Sequence, residues 1–168
     1  MFTFYKKHNN KLYNKLAQFS RNKFFYENIK LSDEFETRAL LIFFHLAIIL
    51  KTSKGKAQKR KSQEVFDNIF QNIEYNMREI GHGDVSINKN MKNLNKIFYD
   101  ILYKIDKDKD KGQTDILKSL LKKYFFNKND LEDQKVLNLA NYLNKFKDFC
   151  FDLDVDIMLN GTIDFKYR

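Results

Sequence analysis

The sequence predicts an all-α fold: a single-domain bundle of about six helices with a long central αα-hairpin and an extended C-terminal tail. Three observations predict it. The 168 residues contain no proline and five glycines, too little turn punctuation for a β-rich domain. Apolar residues recur at helical spacing along most of the chain. Hydrophobic residues reach 43%, with 17 Phe and 9 Tyr, enough for a core at a size where about 70% of the unfolded surface can be buried. Whole-chain disorder is excluded, and the length fits one domain over residues 1–168.

The first helix covers about Asn9 to Tyr26, with a break near Arg21. Its neighbourhood carries six cations (Lys6, Lys7, Lys11, Lys15, Arg21, Lys23) and no acid within 26 residues, as some organelle transit peptides do. It is Lys-rich rather than Arg-rich, and an amphipathic first helix is the simpler reading. No secretory apolar region is present. The second helix starts at Asp33, where Asp33 and Glu36 have capping-box spacing, and runs through Lys51. Its stretch Ala39–Leu50 is apolar nearly all round. As a helix of 12 residues it spans roughly 18 Å, well short of the roughly 30 Å of a bilayer core. With His45 at its middle it reads as a buried central helix, ahead of a membrane-interface or spanning one.

The third helix, about Lys56 to Ile80, places Phe66, Ile69, Phe70, Ile73, Met77 and Ile80 within an arc of about 100°. Gly81 follows where a left-handed residue ends a helix. The fourth runs from Ser86, a candidate N-cap, to Asp106, with Ile87, Met91, Leu94, Phe98, Ile101, Leu102 and Ile105 on one side. The short Gly81–Asp84 connection makes these two helices antiparallel neighbours. A fifth helix (about Thr114–Phe126) buries Ile116, Leu117, Leu120, Leu121 and Tyr124. A sixth (about Asp130–Cys150) buries Val136, Leu139, Ala140, Leu143 and Phe146. From Phe151 to Leu159 apolar residues alternate with aspartates, which predicts an extended segment ending in a turn at Asn160-Gly161.

Chemistry-bearing motifs are scarce. One cysteine, Cys150, excludes a disulfide framework, a thiolate zinc site and a c-type haem attachment. It sits at the end of an apolar stripe and reads as a small core residue, not a nucleophile. Asp106, Asp108 and Asp110 imitate a calcium loop, but Gly112 comes one place late and Leu117 stands where the bidentate Glu belongs. Asp152, Asp154 and Asp156 lack the glycine as well. His8, His45 and His82 have no second ligand at metal spacing, and His45 reads as a satisfied core histidine. No nucleophile elbow, P-loop or dinucleotide fingerprint occurs. The expectation is a non-enzyme with no catalytic, metal or cofactor residues.

The charge is more informative. Thirty-one Lys+Arg against 22 Asp+Glu leave +9, which favours anionic partners such as RNA, a ribosome or an acidic membrane. Six cations (Lys51, Lys54, Lys56, Lys59, Arg60 and Lys61) lie within eleven residues with no acid, a candidate for docking on an anionic surface or else a solvated face. Asp148 to Asp164 holds five acids and no cation. No DNA- or RNA-reading motif is visible, so DNA is not an expected partner.

The run Val65–Lys92 (VFDNIFQNIEYNMREIGHGDVSINKNMK), followed by Ile97-Phe98-Tyr99, resembles the ubiquinol–cytochrome c chaperone family, assembly factors of the cytochrome bc1 complex. Upstream, Ser20-Arg21, Phe25-Tyr26, Phe35-Glu36-Thr37-Arg38 and His45-Leu46 resemble the family's leading segment. The likeness extends over about residues 13–150 and is specific at Met77–Asp84 with Lys89 and Lys92. It implies a helical, non-enzymatic chaperone whose client is cytochrome b. The ribosomal exit region and a small partner subunit are further partners of its mitochondrial relatives. The absence of a long targeting extension fits a bacterial member at the cytoplasmic face of the inner membrane; the mitochondrial matrix side is the alternative. Arg78, Glu79, Gly81, Gly83, Asp84, Lys89 and Lys92 are the candidate partner-binding residues, at a corner that reads equally as a tightly specified turn. Tyr99 and Tyr103, opposite the apolar stripe of their helix, are candidates for a partner surface. The rival functions are a basic ribosome- or RNA-binding module and a peripheral membrane protein.

Overall fold

In the computed structural model, residues 10–53, 59–105, 113–126 and 133–167 are described, with 113–115 as backbone only. Seven α-helices occur among them, and no strand: α1 (Lys11–Ser20), α2 (Phe35–Thr52), α3 (Lys59–Glu79), α4 (Asp84–Lys104), α5 (Gln113–Phe125), α6 (Asp133–Phe151) and α7 (Val155–Leu159). The all-α expectation holds.

Asn10 caps α1 by accepting from the Tyr13 amide at 2.8 Å. The helix ends at Ser20, beside the expected break, and a π-helix over Phe24–Asn28 follows. That wider turn drives Phe25 and Ile29 fully inward. Lys30, at φ 62°, then redirects the chain toward α2.

The apolar α2 is the central helix and packs against α1, α4 and α6. Residues Leu41 to Ile49 are all buried, and Leu41, Phe43, Phe44, Leu46, Ala47 and Ile49 are wholly inaccessible. Each such Leu, Ile or Phe contributes roughly 1.5–3 kcal/mol relative to exposure. The stretch is apolar all round because protein, not lipid, surrounds it. No helix among the described residues is long and apolar enough to cross a membrane. The expected Asp33/Glu36 capping box does not form. Glu34 is the N-cap and has no side-chain cap bond. The Asp33 carboxylate instead accepts from Arg38 Nε at 2.7 Å and lies 2.6 Å from Nη2, a charge-assisted fork stronger than a bond to a neutral amide.

The αα-hairpin is present. Phe66 and Phe70 of α3 meet Phe98 of α4 with ring centroids 5.4 and 5.5 Å apart. Residues early in α3 thus face residues late in α4, as antiparallel pairing requires. Gly81 has φ 97°, and the Gly81 and His82 amides donate to the Arg78 and Met77 carbonyls; this is a Schellman close to α3. Two details differ from expectation. The fourth helix begins at Asp84, with Gly83 as N-cap, so Ser86 lies inside it and does not cap. Ile80, expected on the core stripe, is 57% exposed, because α3 ends one residue earlier and the chain turns out of helical register there.

Expected core residues of α5 and α6 face inward, Ile116 and Tyr124 only partly buried; Cys150 is buried as expected, and Tyr142 joins them. The tail departs from expectation. Asp154 accepts from the Asp156 amide at 2.8 Å and starts α7, so the alternating stretch is largely helical. Helical spacing buries the adjacent Met158 and Leu159 and leaves Phe151 and Ile157 68% and 40% exposed. The turn at Asn160-Gly161 does occur. Gly161, at φ 74°, lies so close to α1 that a Cβ there would stand 2.5 Å from the Leu12 amide nitrogen. Residues 162–167 lie outside helices and bring Ile163, Phe165 and Tyr167 onto the core.

Candidate functional site

The described surface carries a groove of about 240 Å³ between α1, the start of α2 and the end of α3. Three stretches remote in sequence form its walls. Tyr13, Ala17, Ser20 and Arg21 come from α1 and its exit, Phe35, Arg38, Ala39 and Ile42 from α2, and Ile73, Asn76, Glu79 and Ile80 from α3. Helical spacing explains most of the lining, since Tyr13, Ala17 and Ser20 follow one face of α1 and Ile73 and Asn76 one face of α3, with Ile80 just beyond its end.

The lining is apolar with a few fixed polar groups. Asn76 Nδ2 donates to the Tyr13 hydroxyl, both residues lining the groove. Burial raises the Tyr13 pKa; Arg21 works against that and Glu79 adds to it, so opposite charges flank the phenol. Arg38 is tied to Asp33, whose hydrogen bond raises the guanidinium's pKa. The Tyr26 hydroxyl donates to the Ser20 carbonyl and ties the π-helix to the end of α1. Such a groove suits an apolar side chain flanked by polar backbone or charge.

The structure divides the predicted partner-binding residues among three places. Glu79 lines the groove. Arg78 turns away, its Nη2 2.9 Å from Glu74 and its Nη1 on Asp84. Those two carboxylates raise its pKa and close the corner that contains Gly81 and Gly83. Lys89 and Lys92 stand exposed on α4, beyond the corner. Tyr13 and Asn76 escaped the sequence reading, although Tyr13 follows the apolar stripe of α1 and the Ser20-Arg21 and Phe35–Arg38 segments pointed to this region.

The predicted anionic-surface residues are likewise dispersed. Lys54 and Lys56, like the Asp106–Gly112 segment, lie outside the described residues. Lys51 is half-buried and Lys59 exposed. Arg60 pairs with Glu64 at 3.1 Å, and Lys61 with Asp156 at 2.5 Å. One acid of the tail thus pairs with one cation of the basic stretch.

The remaining chemistry-bearing groups serve the core. His45 is fully buried: its Nδ1 donates to the Leu41 carbonyl at 2.7 Å, so its Nε2 accepts from the Tyr142 hydroxyl at 2.8 Å. Burial lowers its pKa to about 4, against a smaller opposing effect of the Leu41 carbonyl. Burial pushes the Cys150 thiol up to about 12, the reverse of nucleophilic activation. Among the described residues no three His, Cys, Asp or Glu cluster to hold a metal.

These features define a class: an all-helical protein with a partly apolar groove on its described surface and no metal-binding cluster among the described residues. The family model described as ubiquinol-cytochrome C chaperone matches residues 27–165. The chain belongs to that family. No curated protein matches it. The fold is similar to the crystal structure of the Cbp3 homolog from Brucella abortus, with a TM-score of 0.72 and 21% identity, over 94% of this chain and 87% of that one.

Proposed function

We propose that this protein is an assembly chaperone of the ubiquinol–cytochrome c reductase (bc1) complex and that it holds newly made cytochrome b in the groove. The observation that carries the reading is convergence. Segments that resemble the family and lie far apart in the chain, Ser20-Arg21 with Phe35–Arg38 and Met77–Asp84, both contribute to the lining of one concavity, through Ser20, Arg21, Phe35 and Arg38 and through Glu79 and Ile80. The groove offers an apolar bed of Ala17, Phe35, Ile42 and Ile73 beside Arg21 and Glu79. An exposed transmembrane segment needs such a bed before its own partners arrive. Holding requires no bond to be made or broken, so the protein works as a binder and not as an enzyme, with no cofactor of its own. It acts on the cytoplasmic side of a bacterial inner membrane.

Depletion in the source cell tests this. Loss of the bc1 spectrum and of cytochrome b, with other respiratory complexes intact, is the expected result. Unchanged cytochrome b would contradict the proposal.

A further inference from the structure

By sequence alone, Lys89 and Lys92 belong to the hairpin corner, and Tyr99 and Tyr103 form a separate feature. The structure puts them in one line. Val85, Lys89, Lys92, Lys96, Tyr99 and Tyr103 follow each other at steps of three and four residues. At about 100° per residue they fall within an arc of about 80°, and all six are exposed. The line runs the length of α4, about 27 Å. Its ends are apolar or aromatic, with Val85 87%, Tyr99 53% and Tyr103 63% exposed. Its middle is three lysines.

Among the described residues no acid pairs with them. The two acids of α4 are engaged elsewhere: Asp84 on Arg78, and Asp100 with Lys104 at 2.7 Å, Lys123 at 2.9 Å and the Tyr124 hydroxyl. Burial pushes the Asp100 carboxyl up, but hydrogen bonds from Lys104, Lys123 and Tyr124 outweigh it and hold the carboxyl well below the usual range. The opposite side of the helix (Ile87, Leu94, Phe98, Ile101) is buried in the bundle, so this stripe is the outward face of a rigidly seated element.

We infer that the outward face of α4 is the surface by which the protein docks on an anionic phospholipid membrane. The composition selects this occupant. The centres of protein–protein interfaces are depleted in lysine, whereas here lysines form the centre. Nucleic acid would use the lysines and tyrosines but has no use for Val85, an aliphatic group that neither pairs with phosphates nor stacks on bases. A bilayer interface uses all of them: tyrosine rings sit at headgroup depth, lysines reach to lipid phosphates, and aliphatic side chains enter the acyl boundary. The surface differs from the Lys51–Lys61 stretch, where Arg60 and Lys61 are already paired. The inference rests on the proposed function only for the membrane-side placement. Vesicle binding needs no client, so the two fail separately.

The test is flotation of the purified full chain with vesicles of phosphatidylglycerol and phosphatidylcholine, against phosphatidylcholine alone, at low and high salt. Binding to the anionic vesicles only, weakened by salt, is expected. Each lysine replaced should lower affinity about fivefold, equivalent to about 1 kcal/mol, so K89Q/K92Q/K96Q should lose flotation. Tyr99→Ser with Tyr103→Ser should weaken it and leave the salt dependence in place. Lys59→Gln should float like the parent. Circular dichroism shows whether each variant keeps the parent's helicity. Absence of binding to anionic vesicles, or equal flotation of the folded triple variant, would overturn the inference. So would retention on an RNA or acidic-peptide column without vesicle binding.

Discussion

Two tyrosines in this molecule make similar polar contacts in opposite settings. Tyr142 meets His45 where both are 1% exposed or less, with Phe24, Phe25, Phe165 and Tyr167 rings around the tyrosine. Tyr13, 9% exposed, meets the half-buried Asn76 in the lining of a surface groove. The first pair is sealed, so its value is stability: a buried donor and acceptor satisfy each other where water cannot. The second has room beside it, so its value is to fix the walls of a concavity. The difference between packing and binding lies in what surrounds the pair, not in the pair.

The largest effect should come from the sealed pair. Tyr142→Ala removes a large buried ring and strands the His45 Nε2, and should lower stability by about 3–5 kcal/mol in urea unfolding. Asn76→Ala should change stability by about 1 kcal/mol and weaken client capture in pull-downs. If the two variants lost stability equally, the contrast between sealed and open sites would fail.

The pH dependence sharpens the same contrast. His45 is held neutral, with its folded pKa near 4 and an unfolded value of about 6.5. Between these values the unfolded chain binds more protons, so stability rises with pH. The His45 contribution is complete above about pH 6.5 and is lost as pH falls toward 4, an effect of about 3 kcal/mol. Unfolding titrations should show that slope, and His45→Gln should flatten it. Tyr13→Phe, at the groove, should leave it intact.

Gly161 offers an intermediate effect. Alanine there would be strained at φ 74° and would collide with the α1 backbone, costing about 1–3 kcal/mol, read as a lower Tm. The smallest effect belongs to Lys61→Ala. The Lys61–Asp156 pair lies at the surface, with the lysine 44% exposed, and its loss should shift stability by less than about 1 kcal/mol.

The helices were legible because periodicity reports which face is buried. The α2 burial, the hairpin and its Gly81 close all follow from local pattern, as does the satisfied His45, whose apolar helix left no other role. Local pattern failed where a second short-range partner competed for the same side chain. Asp33 was drawn from capping to Arg38. The aspartates between Phe151 and Leu159 imitated strand alternation, yet Asp154 served as a helix cap. Ile80 looked like core and became groove wall, because one residue of helix length decides which way it faces. The groove itself was half legible. Arg21, Phe35, Arg38 and Glu79 lay in recognisable segments, but their meeting around Tyr13 and Asn76 depends on how three helices pack.

The most direct measurement places a photoreactive amino acid at one position at a time in cells that synthesise cytochrome b. The account predicts that probes at Phe35 and Ile80, at the groove, capture cytochrome b, whereas a probe at Ile157, on α7, does not. Capture of cytochrome b from position 157 with none from positions 35 and 80 would contradict the groove as the client's seat.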